Sequence, residues 1–542
     1  MTDPSRHDPA ARRLTIAFVV IAALLGACQA FDTRFTMNPD GIEYLDNATA
    51  WAAADYSTAL NSLWSPLYPW LIAAIFSAVH PDPFLEFPVV HLLNFLIYLS
   101  SVAAFLFFIR SIRFNLSLSL LAYSSFLYSS LDLTTLAYVT PDLLVSLFAF
   151  LAAGLLLRVS KTTASTFEYA ALGLVLGLGY LSKSPFLIFG VLCVTLLAVL
   201  ARKQRSALWR VLLATVVFAA IVIPYAWALS AAKGRLTFGD SGRYNVIWHV
   251  NGAPLYHWQG SPKNGTPVHP TRQLSTQPDI FEFAQPFSTT YPPGYDPVYW
   301  SEGAKIAFSP SDFARALIEQ LKLYGYLVHH RQAPLLFALL VLLVLALTNR
   351  TSFASLGDFW PVLCLGIFPF AMYGVVHAEG RYLAPFFVLI WTGLFAGLLT
   401  GLPQRVDPKV LLSIAAVASV LMLAEALTAM KPEKPVGPHY AVARALQGLG
   451  LKSGDPVAIA TADLDFYWAR LTRARIAMEV SFTGAGCPDC RSHQAEWEKA
   501  KPILSSHGVM FFVSPCLPGV TDQPGWQQLA TTNIYAYRLR NP

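Results

Sequence analysis

The sequence predicts an α-helical polytopic membrane protein, with about eleven transmembrane helices and a small extracytoplasmic α/β domain behind the last of them. Three observations carry that prediction. Of 542 residues, 55% are hydrophobic and 13% charged, against the roughly 25% charge that clothes a soluble globular surface. Apolar runs long enough to cross a bilayer recur as far as residue 430, and Lys and Arg gather in alternate loops between them. Together these exclude a cytosolic enzyme, a disordered scaffold and a secreted disulfide module. The net charge of +6 reads as basic cytoplasmic loops beside an anionic leaflet, not as a nucleic-acid footprint.

A spanning helix needs about 20 mostly apolar residues at 1.5 Å each. Eleven runs qualify: 14–31, 87–109, 114–131, 140–157, 168–182, 185–201, 210–230, 332–348, 359–376, 383–401 and 410–430. A twelfth, 65–79, is short, opens with two prolines and is rich in aromatics, which suits a helix lying in the interface. Loop parity supports that reading. With 65–79 flat, the loops holding Arg110, Arg113, Arg158, Lys161, Arg202, Lys203, Arg205, Arg350, Arg405 and Lys409 fall on the side of the basic N-terminus, with its Arg6, Arg12 and Arg13. The expected topology is a cytoplasmic N-terminus in the inner or plasma membrane, with outward segments 32–86, 231–331 and 431–542. The first apolar run lacks a small-residue cleavage pattern and reads as a retained span.

The division expected is a transmembrane unit over 1–430 and a small α/β domain over 431–542. In the latter, 456–460, 508–513 and 533–539 read as buried strands and 463–475 as an amphipathic helix. Cys487 and Cys490 form a CPDC motif, with Cys516 nearby. One CxxC without a second ligand pair favours a disulfide over zinc, and the pairing stays open. Cys28, Cys193 and Cys364 fall in spans and read as packing residues.

The informative residues are charges at the outer ends of spans, where the bias toward cytoplasmic cations gives no reason for them. Asp40, Glu43, Tyr44 and Asp46 follow the first span in NPDGIEYLDNATAW, and helical spacing puts Asp40, Glu43 and Tyr44 on one face. Asp46 reads as an ordinary acid on a solvated loop. Asp142 opens the fourth span behind Pro141, which is also normal first-turn chemistry. Lys183, in GLGYLSKSPF, is harder to dismiss. A cation near the apolar slab costs about 2.5–3.5 kcal/mol before snorkelling relieves it. Arg381, in VVHAEGRYLAP, is a second such exception, with His377, Glu379 and Tyr382 beside it as neutralising partners. Outward cations and a carboxylate at bilayer-surface depth suit a phosphate headgroup and a reacting hydroxyl.

The order Asp40, SPLYPW, Pro141-Asp142, GLGYLSK with Lys183, and EGRYLAP with Arg381 resembles the GT-C membrane glycosyltransferases. The specific likeness is to family 39, the protein O-mannosyltransferase and aminoarabinose transferase type, over roughly residues 14–400. The resemblance implies an inverting transfer of a sugar from a polyprenyl-phosphate carrier to a glycan, lipid or protein hydroxyl on the outer face. Asp40 matches the general-base position, and Lys183 and Arg381 the positions that hold the lipid phosphate. Tyr44, Glu379 and Tyr382 would support them. Glu43 and Asp142 would position the acceptor, help hold a divalent cation or support the fold, and whether a metal takes part stays open. The family's adjacent Asp-Glu pair is here spaced as Asp40-Gly-Ile-Glu43.

Between Tyr244 and Trp300 lie eleven aromatic residues. They read either as a lid that stacks on sugar, through Trp248, Trp258, Tyr291, Tyr295 and Trp300, with Arg243, Asn251 and Asp296 binding hydroxyls, or as a self-packed loop core. His249 and His257 lack a further ligand at metal-binding spacing. A polytopic transporter, or an envelope assembly protein without catalysis, is the competing reading. No internal repeat of the kind transporters carry is visible.

Overall fold

The computed structural model describes residues 9–112, 115–160, 165–202, 205–269, 272–283, 289–291, 298–351, 353–403, 405–430, 438–460, 466–482, 494–515 and 525–540. The helices used below are α1 (Pro9–Asp32), α2 (Pro39–Ala52), α3 (Leu67–Val79), α4 (Glu86–Ile109), α5 (Leu116–Tyr128), α6 (Asp142–Val159), α7 (Thr166–Ser182), α8 (Phe186–Ala201) and α9 (Arg205–Lys233). They continue with α10 (Pro310–Tyr326), α11 (Ala333–Thr348), α12 (Trp360–Gly374), α13 (Gly380–Gly401) and α14 (Pro408–Ala429).

Each of the eleven apolar runs forms a helix, but the helices are unequal. Among the described residues seven are long and apolar enough to cross a membrane alone, or eight when the bent pair Pro310–Arg331 and Ala333–Thr348 is taken as one span. Helices α7 and α8 have 17 and 16 residues, roughly 25 Å of rise. The run at 114–131 is α-helical only to Tyr128, where it opens into a π-helical turn over Ser129–Thr134. The chain is a multi-pass membrane protein.

Buried side chains form two main cores, one centred on α1, α4, α6, α7 and α8 and one on α5, α11, α13 and α14. Close approach of α7 to α9 depends on glycine. A Cβ on Gly173 would stand 2.3 Å from the Ala214 carbonyl oxygen, and one on Gly177 2.7 Å from Ile221. Small residues a turn apart let backbones meet where lipid supplies no hydrophobic drive.

Seven strands form one sheet in the order β1-β2-β4-β3-β5-β7-β6. The strands are β1 (Arg272–Thr276), β2 (Asp279–Glu282), β3 (Pro456–Ala460), β4 (Arg475–Ser481), β5 (Phe511–Ser514), β6 (Trp526–Gln528) and β7 (Tyr535–Arg538). Strand β3 runs parallel to β4 and β5, and the remaining pairs are antiparallel. Two strands thus come from the long segment before α10, and β2 pairs with β4 through Asp279 to Ser481 and Glu282 to Met478. The predicted strand at 456–460 is β3, and those at 508–513 and 533–539 correspond to the shorter β5 and β7. Of the predicted helix at 463–475, residues 463–465 lie outside the described residues and Trp468–Thr472 is helical; Arg473, in the left-handed region at φ 58°, ends it, and the chain turns into β4. Alternation does not announce β4, because its RIAMEVS carries the charged Glu479 into a buried position.

Candidate active site

Four helix ends meet at one end of the bundle. Pro39 occupies the first turn of α2, after an Asn38 with extended backbone whose side-chain oxygen accepts a hydrogen bond from the Val139 N–H at 2.8 Å. That places Asp40 in the first turn. Asp142 is the first residue of α6, behind Pro141. Helix α7 stops at Lys183, which is extended and two residues before Pro185. Glu379 is the extended residue before α13, and Arg381 lies in that helix's first turn. Three N-termini therefore point partial positive charge into the same space.

Their side chains bond to one another. The Lys183 ammonium donates to Asp142 Oδ1 at 2.6 Å, and the Thr140 hydroxyl to Asp142 Oδ2 at 2.9 Å. Arg381 Nη1 stands 3.7 Å from that Oδ2, and both Arg381 Nη atoms reach Asp40 Oδ2 at 3.2 Å. Arg381 Nε donates to Glu379 Oε2 at 2.7 Å, and the Tyr382 hydroxyl to Glu379 Oε1 at 2.9 Å. Lys183 Nζ sits 3.7 Å above the Tyr382 ring, a cation–π contact worth more where water is scarce. Asp142 is buried at 2% exposure, while Asp40 keeps 33% and Glu379 38%. The cluster is anchored at Asp142 and open at Asp40 and Glu379.

Two neighbours set the electrostatics. Burial alone would raise the Glu379 carboxyl, but the hydrogen bond from His377, the Arg381 charge and the Tyr382 hydroxyl overcome it and hold the group well below the usual carboxylate range. His249 stacks on His377 with centroids 3.8 Å apart, and burial, with the second imidazole beside it, brings His249 down to about 4. Tyr44 packs edge-on against Trp64 and Tyr68 at 5.0 and 5.1 Å, so the proline-opened aromatic run buttresses α2. Glu43 is buried one turn into α2, where its Oε1 accepts from Asn47 at 2.7 Å.

Asp46 is not the solvated acid that its sequence context suggests. It is 5% exposed and bonds Arg470 Nη1 at 2.6 Å, the Thr290 N–H at 2.8 Å and the Thr290 hydroxyl at 2.9 Å. Arg470 also donates to Glu86 Oε2 at 2.8 Å and to the Thr49 hydroxyl at 3.0 Å, and Arg473 pairs with Glu86. The partners are hundreds of residues away, so no local pattern betrays them.

The aromatic segment is packed on itself. Trp248 lies against Tyr244 and donates to Ser301 Oγ at 2.7 Å. Trp258, Tyr291 and Trp300 are buried, Trp300 among His257, Phe281 and Phe283 and Tyr291 against Glu479. The four rings serve as loop core, and none offers an open face for stacking on sugar. Arg243 donates to the Ala304 carbonyl, Asn251 exchanges hydrogen bonds with Ala307, and His257 Nε2 lies 2.9 Å from Glu479. Tyr295, Asp296, Cys487, Cys490 and Cys516 lie outside the described residues. Among the described residues, no group of three or more His, Cys, Asp or Glu is arranged to hold a metal ion. Asp142, a candidate ligand from sequence, already faces Lys183 and Arg381.

No protein-family profile and no curated protein sequence matches the chain. Solved structures do. The crystal structure of ArnT from Cupriavidus metallidurans in the apo state superposes with a TM-score of 0.55 at 14% identity, covering 98% of this chain and 99% of that one. The structure of the same protein bound to undecaprenyl phosphate gives a TM-score of 0.53 at 13% identity, over 96% of this chain and 97% of that one. Over nearly its whole length this chain has the GT-C fold.

Proposed function

We propose that this protein is an inverting glycosyltransferase that moves a sugar from a polyprenyl-phosphate carrier to an acceptor hydroxyl at the outer face of the inner or plasma membrane. The observation that carries the reading is the convergence of Asp40, Asp142, Lys183 and Arg381 within one bonded cluster at helix ends. A structural neighbour crystallised with undecaprenyl phosphate supports the choice of carrier.

The chemistry follows from charge. As the sugar leaves, the lipid phosphodiester becomes a monoester carrying more negative charge, so cations already in place favour the transition state over the ground state. Lys183 and Arg381 are held for this by Asp142, which is buried and cannot swing away. Asp40 accepts the acceptor's proton as its oxygen attacks the anomeric carbon from the face opposite the phosphate. Before donor binds, Asp40 Oδ2 is engaged by Arg381 at 3.2 Å. Donor phosphate drawing Arg381 toward itself frees that oxygen to meet the acceptor hydroxyl, which couples donor binding to acceptor engagement. Glu379 and Tyr382 keep the guanidinium oriented throughout. Glu43 supports α2 behind Asp40.

The test is Asp40→Asn, assayed with a purified polyprenyl-phosphate sugar and envelope acceptors. Transfer should fall by about 10²- to 10⁴-fold while donor lipid still binds. Full activity in that variant would remove the base assignment.

A further inference from the structure

Helix α10 and the apolar helix α11 meet at an 81° bend. With α11 crossing the bilayer at the usual tilt of about 20°, α10 runs close to the membrane plane. Its residues divide into three sectors at 100° per residue. Ala316 and Gln320 are buried against the protein, with Leu327 beyond them. Arg315, Glu319 and Lys322 form a charged stripe, in which Lys322 pairs with Glu319 at 2.7 Å. The third sector, Ala314, Leu317, Ile318 and Leu321, is apolar and uncovered, with exposures of 40% at Leu317, 52% at Ile318 and 56% at Leu321. Phe308, just before the helix, is 82% exposed.

A soluble helix has two faces, one for core and one for water. A third face, apolar and open, needs a third medium. Beyond the bend, the apolar helix α11 also leaves large apolar side chains uncovered, with Phe337 and Leu340 63% and 52% exposed. We propose that α10 lies in the membrane surface on the site side, with Leu317, Ile318 and Leu321 among the acyl chains and the Arg315 to Lys322 stripe in water, and that lipid is the partner of this face. The surface is tied to the reaction centre. Gln320 Oε1 accepts a hydrogen bond from the Ala378 N–H at 3.0 Å, between His377 and Glu379. The helix therefore fixes the depth at which the Glu379 to Arg381 turn sits against the headgroups. The placement of α10 stands apart from the proposed transfer activity.

The experiment reconstitutes the full chain in phosphatidylethanolamine–phosphatidylglycerol nanodiscs. Nitroxide amino acids are placed singly at 317, 318 and 321, and at 315, 319 and 322. Collision with oxygen, which partitions into lipid, is compared with collision with a water-soluble nickel chelate. The first three positions should give an oxygen-to-nickel ratio several-fold above that of the second three. Equal nickel access at all six positions would overturn the proposal by placing the face in water. Shielding of the first three from both reagents would overturn it in favour of a protein partner or a second copy of the chain.

Discussion

The same short helix, α2, feeds two clusters of charge, and they are built on opposite principles. Asp46 enters a sealed set in which Arg470, Glu86, Thr290 and Thr49 complete one another's hydrogen bonds at 3–5% exposure for the central pair. Asp40, six residues earlier and so about 1.7 turns away, enters a set that is buried only at its Asp142 root and open at its tip. The first sets Asp46 and Glu86 around the buried Arg470, with Arg473 at the rim. The second gathers Asp40, Asp142 and Glu379 around Lys183 and Arg381, with the cations positioned between acids they can exchange for a ligand. A closed network resists rearrangement, and an open one is poised for it.

Removing one arginine from each cluster should separate these roles. Arg470→Ala leaves Asp46 and Glu86 buried without their shared cation and should destabilise the protein by about 3–5 kcal/mol, read as a lowered melting temperature in detergent. Arg381→Ala should leave the melting temperature closer to that of the wild type, because water reaches the tip of the site. Its loss should appear in donor binding, by about 1.5–3 kcal/mol for a charged hydrogen bond. A matched fall in melting temperature for both variants would erase the distinction.

A gentler probe is pH. His249 is held down at about 4, below the roughly 6.5 of an unfolded histidine. The unfolded chain then binds more protons between those values, so stability is full above about 6.5 and falls as the pH drops toward 4. His249→Phe should flatten that slope in melting curves taken across the interval. The smallest expected effect belongs to Gln320→Ala, which removes one hydrogen bond worth about 1 kcal/mol. It should lower turnover several-fold with little change in melting temperature, and Gln320→Glu, which keeps an acceptor, should restore it.

What the sequence made legible follows the same division. Lys183 and Arg381 stood out because cations at the outward ends of spans violate a charge bias, and Pro141 and Pro185 marked where helices begin and end. Each signal lies within a few residues. The structure places Asp40, Asp142, Lys183 and Arg381 within bonding reach of one another. Asp46 was illegible because its meaning depends on Arg470, 424 residues on. Strand β4 was masked for a similar reason, since Glu479 looks like a surface charge until Tyr291 and His257 are seen beside it. Eleven spans drawn as uniform rods miss the unwinding after Tyr128 and the bend before Ala333, because hydropathy records how much apolar surface is present and not its path.

The interleaved sheet bears on how the chain is made. Strand β2 is synthesised about two hundred residues ahead of β4, and α10 to α14 must be inserted between them. Until the tail arrives, β2 has an unfilled edge on the side that β4 will occupy, and Asp46 waits for Arg470. The segment behind α14 therefore locks one made long before it, and a ribosome that stops after α14 leaves a chain whose helices are threaded but whose β2 edge is unpaired.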